Sequence, residues 1–299
     1  MPLKFHTLDV FTDTRFGGNP LGVVLDADGL DDAQMQTIAR EFNLSETVFV
    51  RAPKTEGHRA NIRIFTPASE LPFAGHPTVG TACLLAELDG DAPERVLVLE
   101  EGVGDVRCAV TQAAGQPTAA TFDLPKLPVP HDHMPPLDQI ATAHGLEPPD
   151  IGFANHVPSG YDAGIPYLMI PVRDRATIER VRLNTAAWAD AFSSTTTGSS
   201  YLYCPECVRD DSAYHARMFA PDAGIPEDPA TGSAVACFAG TIMQFDAPGD
   251  GARTFVIEQG FEMGRPSIIN LELTVEGGAL AGARIGGNAV RVTEGMLEV

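Results

Sequence analysis

The stretch Arg63-Ile-Phe-Thr-Pro-Ala-Ser-Glu-Leu-Pro72 recurs 154 residues later as Arg217-Met-Phe-Ala-Pro-Asp-Ala-Gly-Ile-Pro226. Without a gap, the match continues to Ala82-Cys83 over Ala236-Cys237, and six of the 21 aligned positions are identical. Chance similarity between short apolar segments is the alternative, but each copy lies near the same point of its half of the chain. The repeat therefore predicts a duplicated domain in which a strand, a proline-containing loop and a buried helix occur twice.

Each copy of the repeat runs into an apolar segment. Thr78–Leu88 is almost wholly apolar, and Pro77 suits the first helical turn, where a missing N–H has no intrahelical partner to lose. In the second copy, the loop Glu227–Ser233 leads into the apolar segment Ala234–Met243. A helix that is apolar on every side must be surrounded by protein, so both segments are expected at the centres of their domains.

The rest of the chain supplies strands, a helix and a connector. The proline-rich stretch Leu124–Pro130 has low helix and strand propensity and predicts a domain boundary near residue 128. The polar run Ser193–Ser200 is predicted to be a loop. Hydrophobic periodicity predicts strands at Phe5–Val10, Leu21–Asp26, Ser45–Val50, Arg59–Phe65 and Tyr201–Cys204, and a helix over Asp31–Phe42.

Composition limits the partners of the protein. The 299 residues carry 40 acidic and 20 basic side chains, a formal net charge of −20, which repels phosphate backbones and argues against nucleic acids and anionic membranes. No apolar stretch approaches the ~20 residues that span a bilayer, and the N-terminus lacks the apolar run of a secretory signal. Five cysteines do not form a disulfide framework, so a reducing cytoplasmic compartment is expected.

Several familiar catalytic motifs are absent from the sequence. The three lysines, Lys4, Lys54 and Lys126, lie outside glycine-rich phosphate-binding loops, and none has the setting of a pyridoxal-phosphate lysine. There is no Gly-x-Ser-x-Gly elbow and no His-Glu-x-x-His helix. The lone pair Cys204 and Cys207 has no second pair at zinc-finger spacing, which favours a structural role over a zinc hydrolase site.

The starts of the two apolar helices are candidate anion sites. The first turn of a helix has four N–H groups without intrahelical partners and about half a positive charge. Gly75 and Gly232 would let a ligand approach the backbone closely. If the two halves face one another, both helix starts converge on one cleft that suits a carboxylate and the charge developing when its α-carbon loses a proton. The alternative is that both helices only form core.

Three ionisable residues lie near these helix starts. Glu46 stands in an otherwise apolar strand, where the surroundings would favour the neutral acid used in general acid–base catalysis; at a sheet edge it would face water instead. His76 opens the first helix and could equally cap it or pack in the core. Asp228 precedes Pro229 and could simply cap the second helix. Together they form a candidate catalytic set.

Five segments, in order along the chain, resemble the PhzF family of phenazine-biosynthesis isomerases: Phe11-Thr-Asp-x-x-Phe-x-Gly-Gly-Asn-Pro20, Ser45-Glu46-Thr47, Phe65-Thr-Pro67, Pro72-Phe-Ala-Gly-His-Pro-Thr-Val-Gly80 and Glu227-Asp-Pro-Ala-Thr-Gly-Ser-Ala234. The stretch Gln259–Ser267 also resembles a late motif of the family, without an assigned chemistry. The resemblance implies an α+β fold of the diaminopimelate-epimerase type, with two pseudo-symmetric domains that are each a β-barrel-like sheet around a central helix. It also implies a homodimer.

The resemblance further implies how the domains and the site are composed. Residues 1–128 with about 285–299 would form the N-terminal domain and residues 129–284 the C-terminal domain, with the active site in the cleft between them. Glu46 is similar to the family's proton-shuttling carboxylate, and His76 and Asp228 match its two assisting polar residues. The positions that match those holding the substrate carboxylate are Gly75, His76, Gly232 and Ser233, with Asn19 in a matching loop near the cleft.

Related amino-acid epimerases and racemases transfer protons with two cysteines. In the repeat alignment, Ala74 and Asp228 occupy equivalent positions near the site, and neither is a thiol. Cys83 and Cys237 lie about two turns inside their helices, where a thiol is usually a small core residue. Two-thiol racemisation is therefore not expected.

The sequence thus predicts an isomerase that moves a proton between carbons of a small carboxylic acid by means of Glu46. Such a proton relocation needs no metal and no cofactor. A carboxylate-based epimerase of an amino or hydroxy acid is one alternative. A non-catalytic protein that binds small carboxylates is another.

Overall fold

The computed structural model describes residues 2–90, 92–192 and 198–299, so most of the predicted loop Ser193–Ser200 lies outside the described residues. In the first part of the chain the elements are β1 (Leu3–Val10), β2 (Asn19–Val24), α1 (Asp32–Phe42), β3 (Glu46–Arg51), β4 (Ala60–Phe65), β5 (Glu70–Leu71), α2 (Gly75–Leu88), β6 (Glu94–Glu101), β7 (Gly104–Thr111) and β8 (Thr118–Asp123). The later elements are β9 (Val129–His131), α3 (Leu137–Ala143), β10 (Ser159–Asp162), β11 (Pro166–Pro171), α4 (Arg175–Glu179), α5 (Thr185–Phe192), β12 (Ser200–Cys204), β13 (Tyr214–Ala220), β14 (Ile225–Asp228), α6 (Gly232–Phe245), β15 (Gly251–Gln259), β16 (Ser267–Glu276) and β17 (Ala279–Leu297). The predicted strands and helices are confirmed, with ends that shift by at most three residues.

The described chain divides into two compact units. The first comprises the residues up to Pro125 together with Arg265–Ile268 and Arg284–Val299. The second comprises Lys126–Gly264 and Ile269–Ala283. The chain therefore leaves the first unit at the proline-rich connector and returns to it twice.

Eight strands close a ring in the first unit. β1 pairs with β2, β3 with β4, and β6, β7 and β8 with one another, all antiparallel, whereas β2–β3 and β4–β6 are parallel pairs. The last strand, β17, pairs antiparallel with both β8 and β1 and closes the ring. A closed sheet has no unpaired edge, and it can enclose a helix.

The helix α2 forms the core of this ring. Every residue from Gly75 to Ala86 is buried, which confirms the expectation from its apolar sequence. At Gly80 a Cβ atom would lie 2.6 Å from side-chain carbons of Leu21 and Val10, so a glycine is needed for the helix to pack this closely on β1 and β2.

The second unit repeats this pattern of pairing. β10–β11 and β12–β13 are antiparallel, and β11–β12 and β13–β15 are parallel, as in the first unit. On β12, Tyr201 and Tyr203 contact Phe238 of α6, whereas the intervening Leu202 joins a separate core cluster with α5. The α+β fold of two pseudo-symmetric barrel-like domains, each around a central helix, is thus confirmed.

The repeat holds for the strands but shifts before the second helix. β4 and β13 begin in register with the repeat, whereas α6 begins at Gly232, three residues later than an ungapped repeat of α2 requires. The ungapped alignment was therefore wrong within the helices, and Ala74 is equivalent to Thr231, the residue before α6, rather than to Asp228. The hairpin of β13 and β14 accommodates the extra length, because Met218 pairs with Asp228 across a β-bulge whereas Ile64 pairs with Leu71 in the first unit.

The helices in the described part of the chain are too short or too polar to cross a membrane.

Candidate active site

Glu46 and His76 meet in the first unit. Glu46 is the first residue of β3, opposite Leu21 of β2, and His76 is the second residue of α2. The Oε2 atom of Glu46 lies 3.3 Å from Nε2 of His76, and the two residues are 8% and 4% exposed. The edge position facing water, considered above for Glu46, is therefore wrong.

The protonation of His76 follows from its surroundings. Burial lowers the pKa of His76 to about 3, although a hydrogen bond to the Pro20 carbonyl opposes this shift, so the ring is neutral near pH 7. Nε2 has no hydrogen-bond partner among the residues that the structure describes, so Nδ1 is the atom that donates to Pro20. A neutral imidazole has one N–H, which leaves Nε2 as an acceptor facing Glu46. A proton on Glu46 can be donated to this nitrogen.

The loop before β2 places Asn19 and Pro20. Gly18 has a positive φ of 61°, and a Cβ there would lie 2.3 Å from the Val10 carbonyl oxygen, so only glycine fits. The Arg265 side chain donates to the Gly18 carbonyl at 2.9 Å and also pairs with a buried carboxylate, Asp9. Asn19, the first residue of β2, is fully buried.

The start of α2 has no side-chain cap. The preceding residue is Ala74, which has no polar side chain to accept the first N–H groups. Gly75 is buried and is the first residue of the helix. The positive end of the helix thus lies in a buried setting beside Glu46 and His76.

In the second unit, Asp228 is the last residue of β14 and is 6% exposed. Its carboxylate accepts a hydrogen bond from the Thr231 hydroxyl at 2.5 Å. The buried amide of Gln259 donates to the Asp228 carbonyl at 2.8 Å and accepts from the Thr231 N–H at 3.3 Å. The residue before α6 is Thr231, whose own side chain makes no capping bond, so Asp228 is not the N-cap residue of this helix.

Gly232 and Ser233 form the first turn of α6. Gly232 is buried, and the Ser233 hydroxyl hydrogen-bonds to the Tyr167 hydroxyl of β11 at 2.8 Å. This bond fixes the rotamer of Ser233 at the positive end of the helix. In each unit, the side chain of the residue before the helix, Ala74 or Thr231, makes no capping bond.

A cluster of charged side chains is built on β13, the strand that pairs with β14. His215 is fully buried between Glu258, 2.7 Å from Nδ1, and Glu262, 2.9 Å from Nε2. Burial alone would lower the pKa of His215, but the hydrogen bonds to both glutamates outweigh it and raise the pKa to about 9. Arg217 adds a two-bond pair with Glu227 in the strand that leads to Asp228. Glu227 connects this cluster to the strand that ends at Asp228.

Four supporting residues were missed by the sequence analysis: Gln259, Tyr167, Asp9 and Arg265. Gln259 and Arg265 lie in the late motif Gln259–Ser267, whose resemblance to the family was the signal that could have found them. Tyr167 and Asp9 lie outside the motifs that the sequence analysis identified, so nothing in the sequence distinguishes them from other residues of their strands.

The described residues do not cluster as a metal site would. No group of three histidine, cysteine or acidic side chains is positioned to hold a metal ion among them. Cys204 and Cys207 are free thiols, and burial raises the pKa of each to about 12. Neither is therefore a thiolate nucleophile near pH 7.

Comparison with known proteins gives the family. The chain matches the family model described as phenazine biosynthesis-like protein over residues 8–295. An uncharacterised isomerase from Mesorhizobium japonicum is 54% identical, covering 97% of this chain and 96% of that protein. A trans-2,3-dihydro-3-hydroxyanthranilate isomerase from Pseudomonas aeruginosa is 32% identical, covering 98% of each. A crystal structure of a PhzF-family phenazine biosynthesis protein from Bacillus anthracis has a TM-score of 0.90 at 27% identity, with both chains fully covered. The chain therefore belongs to the phenazine biosynthesis-like family, the PhzF family that its motifs resemble, and is an isomerase.

Proposed function

We propose that this isomerase moves a proton between two carbons of a small carboxylic acid, with Glu46 removing and returning the proton. The observation that carries the proposal is the buried contact of 3.3 Å between Glu46 and His76, beside the uncapped start of α2. A carboxylate screened from water and held against a neutral imidazole suits general acid–base catalysis.

The reaction has two proton transfers. Ionised Glu46 takes a proton from a carbon next to the carboxylate or to a double bond, and the electron pair of the C–H bond spreads over the substrate as an anion. The neutral Glu46 acid then gives the proton to another carbon, and the double bond moves. The reaction gains or loses no atoms and no electrons, so the proposal includes no metal and no redox cofactor.

The remaining candidates bind and assist. The amide N–H groups at Gly75 and His76, those at Gly232 and Ser233, and the Ser233 hydroxyl are proposed to hold the substrate carboxylate, because the positive end of a helix favours an anion. Asp228 is proposed to assist proton transfer and Asn19 to orient the substrate. We propose that both sets of residues act on one substrate, as the family resemblance implies.

The substrate class follows from the relatives. The isomerase from Pseudomonas aeruginosa is named for trans-2,3-dihydro-3-hydroxyanthranilate, a cyclic, unsaturated amino carboxylic acid. We propose that this chain acts on a small unsaturated carboxylic acid of the same kind.

The cellular setting is also a proposal. All five cysteines are free thiols, which supports a reducing cytoplasm. The net charge of −20 argues against a nucleic-acid partner. The family resemblance supports a homodimer, and sedimentation of the purified protein would test it.

The test is product analysis in deuterated water. The protein is incubated with trans-2,3-dihydro-3-hydroxyanthranilate and with a panel of unsaturated and amino carboxylic acids, and products are followed by proton and deuterium NMR. The proposal expects a product with a moved double bond. Inversion of a stereocentre without that movement would identify an epimerase instead. Saturable binding without turnover or exchange at any carbon would identify a carboxylate-binding protein.

A further inference from the structure

A second buried glutamate, Glu101, lies behind the start of α2. It is the last residue of β6 and is 8% exposed. Its Oε1 atom lies 2.9 Å from the hydroxyl of Thr78, in the first turn of α2. Its Oε2 atom is buried and has no hydrogen-bond partner in the described part of the chain. The proposed reaction makes no use of this side chain. Burying an ionised carboxylate in such a setting costs folding free energy.

The hydrogen bonds of Thr78 indicate where the proton lies. Its hydroxyl is also 2.8 Å from the carbonyl oxygen of Ala74, the residue that precedes α2. A carbonyl oxygen only accepts, and a hydroxyl has one proton, which points along one hydrogen bond at a time. When Thr78 donates to Ala74, the contact with Glu101 is favourable only if Glu101 donates, and this requires a protonated carboxyl group.

The surroundings of Glu101 favour the same state. Burial raises the pKa of Glu101 to about 8, against the hydrogen bond with Thr78, which lowers it. From β7 it is faced by the Cys108 thiol, whose pKa is raised by burial and by the Glu101 charge, so the thiol is neutral. From β4, the uncharged Asn61 donates to the backbone carbonyl of Glu100. The Glu100 side chain accepts backbone N–H groups of the β3–β4 loop and supplies no positive charge.

The turn that carries Glu101 packs directly on the loop leading into α2. At Gly102 a Cβ atom would lie 2.8 Å from Cα of Pro72, so glycine is required for this approach. The Val103 N–H donates to the Pro72 carbonyl at 2.9 Å. A change of charge or position at Glu101 therefore affects the backbone at the start of α2.

We propose that Glu101 is a positioning residue of the isomerase, held as a neutral acid that ties Thr78 and the first turn of α2 in place. As a neutral group it leaves the positive end of the helix available to the substrate carboxylate. When Glu101 ionises, a buried anion one helical turn behind that end opposes the substrate charge. The affinity for carboxylates is then lower at alkaline pH, where Glu101 is ionised. This inference rests on the proposed function, which puts the substrate carboxylate at the start of α2.

The test compares two neighbouring glutamates. Glu101→Gln keeps the shape and a donor for Thr78 but cannot ionise, and Glu100→Gln is the matched control on the same strand. Binding of 2-aminobenzoate, a stable amino carboxylic acid, is measured by calorimetry from about pH 7 to about pH 9.5. The dissociation constant of the wild type is expected to rise roughly tenfold over this range. This corresponds to a bound carboxylate that raises the pKa of Glu101 by about one unit, since one pKa unit is equivalent to a tenfold change in affinity. Glu101→Gln is expected to stay flat, and Glu100→Gln to follow the wild type.

Equal pH profiles in the wild type and Glu101→Gln would overturn the proposal. Carbon NMR of protein labelled at the glutamate carboxyl carbons gives a readout that needs no ligand. The signal that disappears in Glu101→Gln is expected to titrate near pH 8, and titration in the ordinary range of a glutamate would also overturn the proposal. A further outcome is that 2-aminobenzoate binds to no variant while this signal titrates near pH 8. Glu101 is then protonated as proposed, but the carboxylate site is wrong and the positioning role is overturned with it.

Discussion

The amide nitrogen of Gln259 lies 2.8 Å from the backbone carbonyl oxygen of Asp228. The amide oxygen of the same side chain accepts a hydrogen bond from the Thr231 N–H. One buried side chain therefore fixes both ends of the loop that leads into α6. The position of the Asp228 carboxylate therefore depends on a residue at the end of β15, distant in sequence.

Replacing Gln259 with leucine is expected to destabilise the protein and to lower activity. The change removes the hydrogen bonds that Gln259 makes with the Asp228 carbonyl and the Thr231 N–H, and leaving a buried polar group unsatisfied costs about 1–3 kcal/mol. Chemical denaturation is expected to show a loss of roughly 3 kcal/mol in the free energy of unfolding. Gln116→Leu, at an exposed position, is the control. A Gln259→Leu protein as stable as this control would contradict the role of the amide.

The hydrogen bond between Ser233 and Tyr167 predicts a binding defect. Ser233→Ala is expected to raise KM for the carboxylic-acid substrate about tenfold, equivalent to one hydrogen bond of ~1.4 kcal/mol, with little change in kcat. Tyr167→Phe keeps the serine hydroxyl and only frees its rotation, so a smaller rise in KM is expected. Steady-state kinetics of the two variants check this order. A larger effect from Tyr167→Phe would show that the tyrosine, rather than the serine, contacts the substrate.

The neutral state of His76 predicts a loss of stability in acid. Its pKa is about 3 in the folded protein and ~6.5 in an unfolded chain, so the unfolded state binds more protons between these values. The contribution of this group to the free energy of unfolding is fully present above about pH 6.5. It decreases as the pH falls towards 3, by up to roughly 4 kcal/mol. Denaturation at several pH values is expected to show a shallower decrease for His76→Gln than for the exposed control His133→Gln. Parallel curves would contradict the assignment.

His215 predicts the opposite dependence on pH. Its pKa is raised to about 9 by Glu258 and Glu262, so its contribution is complete below about pH 6.5 and is lost as the pH rises through 9. His215→Gln also leaves two buried carboxylates without their cation, and breaking such a pair costs about 3–5 kcal/mol. Denaturation near pH 7 is therefore expected to show a large loss of stability in this variant, and the loss is expected to shrink above about pH 9. A loss that stays constant from about pH 7 to about pH 10 would contradict the charged state of His215.

The sequence predicted the elements well because each depends on local pattern. The apolar helix beginning at Gly75 and the strand beginning at Glu46 follow from periodicity and from the punctuation of proline and glycine. The repeat also predicted the second helix, but an insertion near Asp222 shifted its start by three residues. Such an insertion cannot be located from 21 aligned positions of which six are identical.

The side chains that support the site were harder to predict. The contact between Glu46 and His76 joins a strand to a helix, and nothing local specifies a distance between them. Glu101 and Glu100 are adjacent and identical in sequence, yet one is buried beside Thr78 and the other binds backbone N–H groups. Only the pairing of β6 with its neighbours decides which glutamate faces α2, and sequence pattern alone does not contain that information.

The central claim, that Glu46 moves the proton, is tested most directly by exchange in deuterated water. Wild type, Glu46→Gln and the exposed control Glu41→Gln are incubated with trans-2,3-dihydro-3-hydroxyanthranilate, and deuterium in the carbon positions of substrate and product is measured by mass spectrometry and NMR. Wild type and Glu41→Gln are expected to form product at equal rates, with deuterium at the newly protonated carbon wherever the neutral Glu46 acid exchanges its proton with the solvent before returning it. Glu46→Gln, folded by circular dichroism, is expected to be slower by at least roughly a hundredfold, the usual contribution of a general acid–base group. Product formation and deuterium incorporation at the wild-type rate in Glu46→Gln would contradict the claim.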